Sequence, residues 1–473
     1  MLKPIRLAIE GIGLLLARLG LIDARRALRT ARLAWPRIVT GIARMSRSTV
    51  DVAMVGSAVG TSAIAGVGFA TPFWALAFML GGGVAGGTIS LVSQHFSAGH
   101  SAGVSAAVKV SAVFAAVVTL PLVVLFAATP ERLIRLIGSG ETAVALGAEY
   151  LRIVSVAMPF AAVNLVGSRT LVGAGDAWMP MVLRAGGAAA NVALNAVLIF
   201  VFDLGVAGAA IGTVLATLGV TGAFLWGLTQ GRLPLIGELP VQVETGAPHW
   251  NTGTARELGE ISAPLALTNL AQLGGQFPLL AIVSLFGPQV VAAFVVALRV
   301  RDLLNTPGWG FGLASSSLVG QSLGRGRERE AEAYGQDAFR FAVAVYACAA
   351  VVVFAFAGPV STLFVDDAAI LPTTEALLRA TCVSVVFWGV TNGALGPLRA
   401  SGDTRWPFYG QMLGLVGFAI PAAYLGATTA LGLAGLHLAI ILEMAVPAAI
   451  IYYRYQSKQW TIISRAYRPA AVE

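Results

Sequence analysis

Asp51 stands in the middle of SRSTVDVAMVG, residues 46–56, an apolar passage with Arg47 one helical turn before it. A carboxylate at such a place is costly in lipid, so it either pairs structurally or binds something. Three further polar residues lie in similar surroundings. Asn191 and Asn195, in ANVALNAVLIF, are four apart and share one helix face, and Thr213 interrupts GVAGAAIGTVL. One anionic and three neutral oxygen-bearing side chains suit a proton or a hard monovalent cation such as Na+. The competing reading makes Asp51 the structural partner of Arg47, and the amides and hydroxyl simple hydrogen bonds between helices.

The elements that must position these residues follow from composition. The chain has 473 residues, 57% hydrophobic and only 11% charged, with a mean hydropathy of +0.80. That is too little polar surface for a soluble protein of this length, so the expected fold is an all-α polytopic membrane protein. Apolar stretches of about 20 residues or more predict twelve spans, near 34–58, 64–93, 105–128, 144–168, 178–202, 205–228, 262–286, 291–321, 336–358, 373–397, 407–427 and 431–453. The one long polar connection, 229–261, divides them six and six, giving an amino-terminal lobe over 34–228 and a carboxy-terminal lobe over 262–453. Residues 1–33 mix Leu and Ile with arginines at helical spacing and read as an amphipathic helix on the inner leaflet, not as a cleaved signal peptide.

Lys and Arg concentrate in alternate connections, which places both termini, including the tail over 454–473, on the cytoplasmic side of the cell membrane. The +8 net charge is thereby explained by topology and contact with anionic lipid; its basic residues are not interleaved with aromatics as a nucleic-acid surface requires. Cys348 and Cys382 have no disulfide or metal spacing, and His95, His100, His249 and His437 are scattered. No cofactor is expected beyond a coupling ion. HExxH, GxSxG and Walker A motifs are absent, and GGGVAGG at 81–87 is not followed by the Lys-Ser/Thr pair of a phosphate loop, which argues against an enzyme or an ATP-driven pump.

An internal repeat is the most informative feature. Gly60 aligns with Gly287, Val92 with Val319, Gln94 with Gln321 and Gly99 with Gly326, each 227 residues apart. The same shift carries LVGAGDAWMP onto LRASGDTRWP and LGVAGAA onto LGLAGLH. Two six-helix copies with an even number of spans run in the same sense, so the repeat is a parallel one. It also serves as an internal control. Asp51 faces Pro278, Asn191 faces Phe418, Asn195 faces Ala422 and Thr213 faces Ile440, so the first copy holds a polar set that the second lacks.

The ordered set LAWPRIVT, VDVAMVG, the two LVxQ…G boundaries, RTLVGAGD with its copy LRASGD, and NVALNAVLIF followed by GVAGAAIGT resembles the multidrug and toxic compound extrusion (MATE) transporters of the MOP superfamily, over nearly the whole chain from about residue 34. Among them it is most similar to the archaeal, DNA-damage-inducible-protein-F-like branch. The resemblance implies twelve helices in two lobes around a cleft, and efflux of amphipathic organic, chiefly cationic, compounds against inward flow of H+ or Na+. It places the ion site in the first lobe, at Asp51, Asn191, Asn195 and Thr213.

This chain departs from the branch at Asn195, where relatives often carry an aspartate. Arg44 and Arg47 lie close to Asp51 and favour its ionised form, which disfavours it as a proton carrier and leans toward Na+. Secondary candidates are Asp302 with Arg299 three residues before it, and Glu443. Phe69, Phe73, Trp74, Phe277 and Trp309 are candidate cleft aromatics. A flippase for a lipid-linked saccharide is the alternative that the arginines keep open. The expected partners are small organic ions and membrane lipid, and the expected state is a monomer.

Overall fold

A computed structural model describes residues 3–138, 140–234, 236–246, 250–363 and 370–467. In the first half, α1 (Lys3–Arg18) precedes the 36-residue α2 (Ala24–Val59). Next come α3 (Thr61–Ser97), α4 (Ser101–Ala128), the short α5 (Pro130–Arg135), α6 (Glu141–Ser155) and α7 (Met158–Gly173). This half closes with α8 (Trp178–Ala196), a π turn over Val197–Val201, and α9 (Gly205–Gln230). A two-stranded hairpin, β1 (Arg232–Leu233) with β2 (Gly237–Glu238), starts the connection to the second half.

There the order is α10 (Thr252–Val283), α11 (Pro288–Gly324), α12 (Glu328–Ala355), α13 (Ala357–Thr362) and α14 (Leu371–Ser401). It ends with α15 (Arg405–Met412), a π turn over Leu413–Ala419, α16 (Ile420–Thr428), α17 (Leu433–Gln456) and α18 (Gln459–Tyr467). The shift of 227 residues seen in the sequence maps both ends of α3 onto α11, of α4 onto α12 and of α5 onto α13. The turns between helices repeat too: φ is 104° at Gly60 and 96° at Gly287, and 91° at Gly175 and 84° at Gly402. A Cβ in that left-handed region is strained, so each copy needs glycine there to reverse the chain.

Twelve spans were expected; nine helices among the described residues are long and apolar enough to cross a membrane, and α6 with α7 makes a tenth across a 51° bend. Pro159 opens α7 and cannot supply a backbone N–H to the preceding turn, which accounts for the break. The expected first and eighth spans fall on α2 and α11, whose length is sufficient but which carry Arg37, Arg44, Arg47 and Asp51, and Arg299, Arg301 and Asp302. Their charge lowers their hydropathy. Those charges mark the helices on which binding chemistry is to be sought.

Two compact units form. One comprises residues 39–266, the other residues 1–38 with 267–468. Within the second unit the amino-terminal segment is held by Arg26, whose Nε donates to Asp337 of α12, and by Arg29, which donates to the Tyr334 hydroxyl at 2.8 Å. Within the first, Gly66 of α3 and Gly147 of α6 bring two backbones together; a Cβ on either would strike main-chain atoms.

Candidate functional site

Four helices of the first unit bring the polar set together. α2 supplies Asp51, α8 supplies Asn191 and Asn195 one turn apart, and α9 supplies Thr213. Nδ2 of Asn195 donates to Oδ1 of Asp51 at 2.8 Å, across 144 residues of sequence. Asn191 and Thr213 are 3.1 Å apart between amide nitrogen and hydroxyl. Turning the Asn191 amide by half a rotation improves both ends: its nitrogen then donates to Oδ1 and Oδ2 of Asp51 at 3.0 and 3.2 Å, and its oxygen accepts from the Thr213 hydroxyl and backbone N–H. In that orientation the four residues form one network.

α6 contributes the fourth wall, with Tyr150 beside Thr213 and facing the charge of Asp51. Asn191 and Asn195 are wholly enclosed. A π turn beginning two residues after Asn195 widens the helix by one residue, a feature that recurs at functional sites in helices. Gly212 of α9 makes the room for Asn195: a Cβ on it would overlap Oδ1 of that amide.

Arg47 is near, with Nε 3.8 Å from Oδ2 of Asp51, an ion pair by charge and not a hydrogen bond. The carboxylate is therefore flanked by amide donors on one side and a guanidinium on the other. Oδ1 of Asn195 is buried and accepts no hydrogen bond. A buried carbonyl oxygen without a donor is costly in a dry interior, and a cation beside the adjacent carboxylate would satisfy it. The donor set thus fits Na+ as well as a proton.

Arg47 also borders a cavity of the same unit, lined with it by Arg44, Trp74, Phe78, Asn164 and Arg184. Trp74 and Phe78 meet edge to face at 5.5 Å. The other aromatic candidates are placed differently. Phe69 and Phe73 share with Trp74 the packing against the hydrophobic cluster of α3, α4 and α6, where Phe73 meets Phe126 at 5.5 Å, but do not line the cavity. Trp309 belongs to the other unit, under the Arg37 guanidinium at 5.6 Å from its ring. The Phe277 side chain lies outside the described residues.

In the second unit Glu443 is buried, and its partner is Arg301, with Nη1 donating to Oε2 at 2.9 Å. The Arg301 guanidinium also lies over the Trp388 ring at 5.4 Å. Arg299 and Asp302, its neighbours on α11, are exposed. Tyr346, Asn305 and Asn392 form a hydrogen-bonded cluster in the same unit.

Sequence reading passed over Tyr150, Gly212, Arg184 and Arg301. The repeat carries a signal for the first three, which face Leu377, Ala439 and Gln411.

The membrane fold is helical and repeated, and its first copy holds the partly buried Asp51 carboxylate. The MatE family model matches residues 36–197 and again 264–425, one copy in each half, and the chain belongs to that family of multidrug efflux transporters. The chain is 24% identical over 427 residues to a probable multidrug resistance protein, YoeA, of Bacillus subtilis strain 168, covering 89% of this chain and 91% of that one. It is 25% identical over 448 residues to a probable multidrug resistance protein, NorM, of Bradyrhizobium diazoefficiens, covering 91% and 93%. Among solved structures, the outward-facing conformation of a multidrug resistance MATE family transporter of the MOP superfamily superposes with a TM-score of 0.80 at 22% identity, over 92% of this chain and 96% of that one.

Proposed function

We propose that this transporter is a secondary-active antiporter that exports amphipathic organic compounds by alternating access, driven by an ion that binds at Asp51. The observation that carries the reading is the contact of the partly buried Asp51 with the enclosed Asn195, beside an amide oxygen that has no donor. Na+ would be held by the Asp51 carboxylate, Oδ1 of Asn195 and the oxygens of Asn191 and Thr213. The Arg47 guanidinium stands 3.8 Å from that carboxylate, and the driving ion is read as Na+ or H+. Loss of the negative charge, by either ion, would release Arg47 and reorganise α2 against α8.

The chain fits the archaeal, DNA-damage-inducible-protein-F-like branch, works as a monomer in the cell membrane among lipids, and has both termini in the cytoplasm. The lobes drawn at 34–228 and 262–453 are its working halves. The experiment that tests the function is dye efflux from proteoliposomes under an imposed Na+ or pH gradient, beside a parallel assay of labelled lipid-linked saccharide movement. Gradient-driven dye efflux supports the antiporter. Saccharide-lipid movement without dye efflux replaces it with the flippase.

A further inference from the structure

The cavity of the first unit has a charge of its own. Arg44 and Arg47 of α2 and Arg184 of α8 converge on it, and no lining residue is acidic. Nη1 of Arg184 and Nε of Arg47 are buried and have no hydrogen-bond partner among the described residues. Asp51, 3.8 Å from Arg47, places a negative charge beside them. A guanidinium donor enclosed without an acceptor is expensive, far more so within a membrane, and such a group persists where a ligand completes it.

In the second unit the equivalent place holds an arginine paired with its own carboxylate, although its Nε too has no hydrogen-bond partner among the described residues. Trp74 and Ala216, which line the first unit's cavity, face Arg301 and Glu443 in the repeat. Those two pair at 2.9 Å and are nearly sealed from solvent. In the first unit the carboxylate position is an alanine, the space is open, and the arginines come from other helices.

We infer that this cavity binds the carboxylate or phosphate of an amphipathic aromatic anion, with its ring against Trp74 and Phe78. The planar guanidinium fork matches either group with paired hydrogen bonds, and the edge-to-face Trp74 and Phe78 pair supplies the apolar wall. Asn164 adds a polar group at the same rim. The inference rests on the transporter reading and names a cargo charge opposite to the cationic one that family resemblance implies.

Equilibrium binding, which does not depend on transport, tests it. The native chain in phosphatidylcholine nanodiscs is titrated with 2-naphthoate and with naphthylmethylammonium, which share a ring system and differ in charge. Naphthoate is expected to bind at least tenfold more tightly. Arg184→Gln should weaken naphthoate at least tenfold and leave the cation unaffected, Arg184→Lys should recover part of the loss, and Asp51→Asn, which removes the neighbouring negative charge, should tighten it.

Nanodiscs containing phosphatidylglycerol separate two sources of the anionic group. Competition that is lost in Arg184→Gln makes a lipid phosphate the occupant, and absence of competition makes it a soluble anion; both support the site. Equal or tighter binding of the cation overturns it, as does naphthoate binding unchanged in a folded Arg184→Gln. The native comparison of the two probes stands even where a variant does not fold. Failure here leaves gradient-driven export intact as a reading, and failure of export leaves this binding result unaffected.

Discussion

The side-chain amide of Asn195 donates to Oδ1 of Asp51 at 2.8 Å, joining α8 to α2 across 144 residues. The contact ties a charged group on one helix to a helix with a π turn at its end. If Asp51 binds the driving ion as proposed, this contact is the route by which its change of charge would reach α8.

That link makes Gly212 a sensitive position, although it carries no chemistry. Gly212→Ala places a methyl group in the space of the Asn195 carbonyl oxygen. The amide has to leave Asp51, at a cost of about 1 to 3 kcal/mol. The expected outcome is at least a tenfold weaker dependence of efflux on the driving ion with the protein still folded, read by titrating Na+ or pH in the transport assay.

Glu443 is expected to behave differently from Asp51. Its carboxylate is paired with Arg301 at 2.9 Å in a dry setting, and Glu443→Gln leaves a buried guanidinium uncompensated. Breaking such a pair costs roughly 3–5 kcal/mol, whereas replacing both partners with apolar residues is often neutral. Thermal denaturation in detergent should show a large loss for Glu443→Gln and recovery in Arg301→Met with Glu443→Leu, and the ion response per folded molecule should be unchanged.

A pH-dependent stability is expected at the turn between α14 and α15. Burial raises Asp403 above the ordinary carboxylate range, and the hydrogen bond from Arg454 at 2.6 Å opposes that shift. Because the net direction is upward, ionising Asp403 in the folded state is unfavourable, and its contribution to stability falls as pH rises from 3.8 through its raised folded value. Arg454→Ala removes the opposing cation, so its destabilisation, roughly 3 kcal/mol where Asp403 is charged, should shrink at low pH. Melting temperatures of both proteins across pH 3 to 8 check the sign; a constant difference would contradict it.

How much of this was legible before the structure depended on the kind of signal each residue gives. The shift of 227 residues carried helix ends and turn glycines faithfully, because reversing the chain at Gly60 and Gly287 demands the same backbone in each copy. It also singled out Asp51, Asn191, Asn195 and Thr213 by their unlike counterparts. Residues with an innocent reading escaped. Arg184 counts as an inner-face charge in a topology argument, Tyr150 looks like an interfacial aromatic, and Gly212 looks like helix packing.

Direction was the other gap. Phe69, Phe73 and Trp74 are equally aromatic in sequence and all pack on one hydrophobic cluster, yet Trp74 lines the cavity as well. Only the rotation of α3 decides this. In the same way Arg301 was hidden between Arg299 and Asp302, since an i−3 pairing is visible in sequence and a partner 142 residues away on α17 is not.

The central claim is that Asp51 couples ion flow to export. Its direct test is efflux from proteoliposomes loaded with a fluorescent substrate, comparing the native chain with Asp51→Asn under imposed Na+ and pH gradients, with substrate binding measured alongside. The account predicts that Asp51→Asn still binds substrate and no longer responds to either gradient. Full gradient-driven efflux in Asp51→Asn would contradict it and leave Asp51 as the structural partner of Arg47.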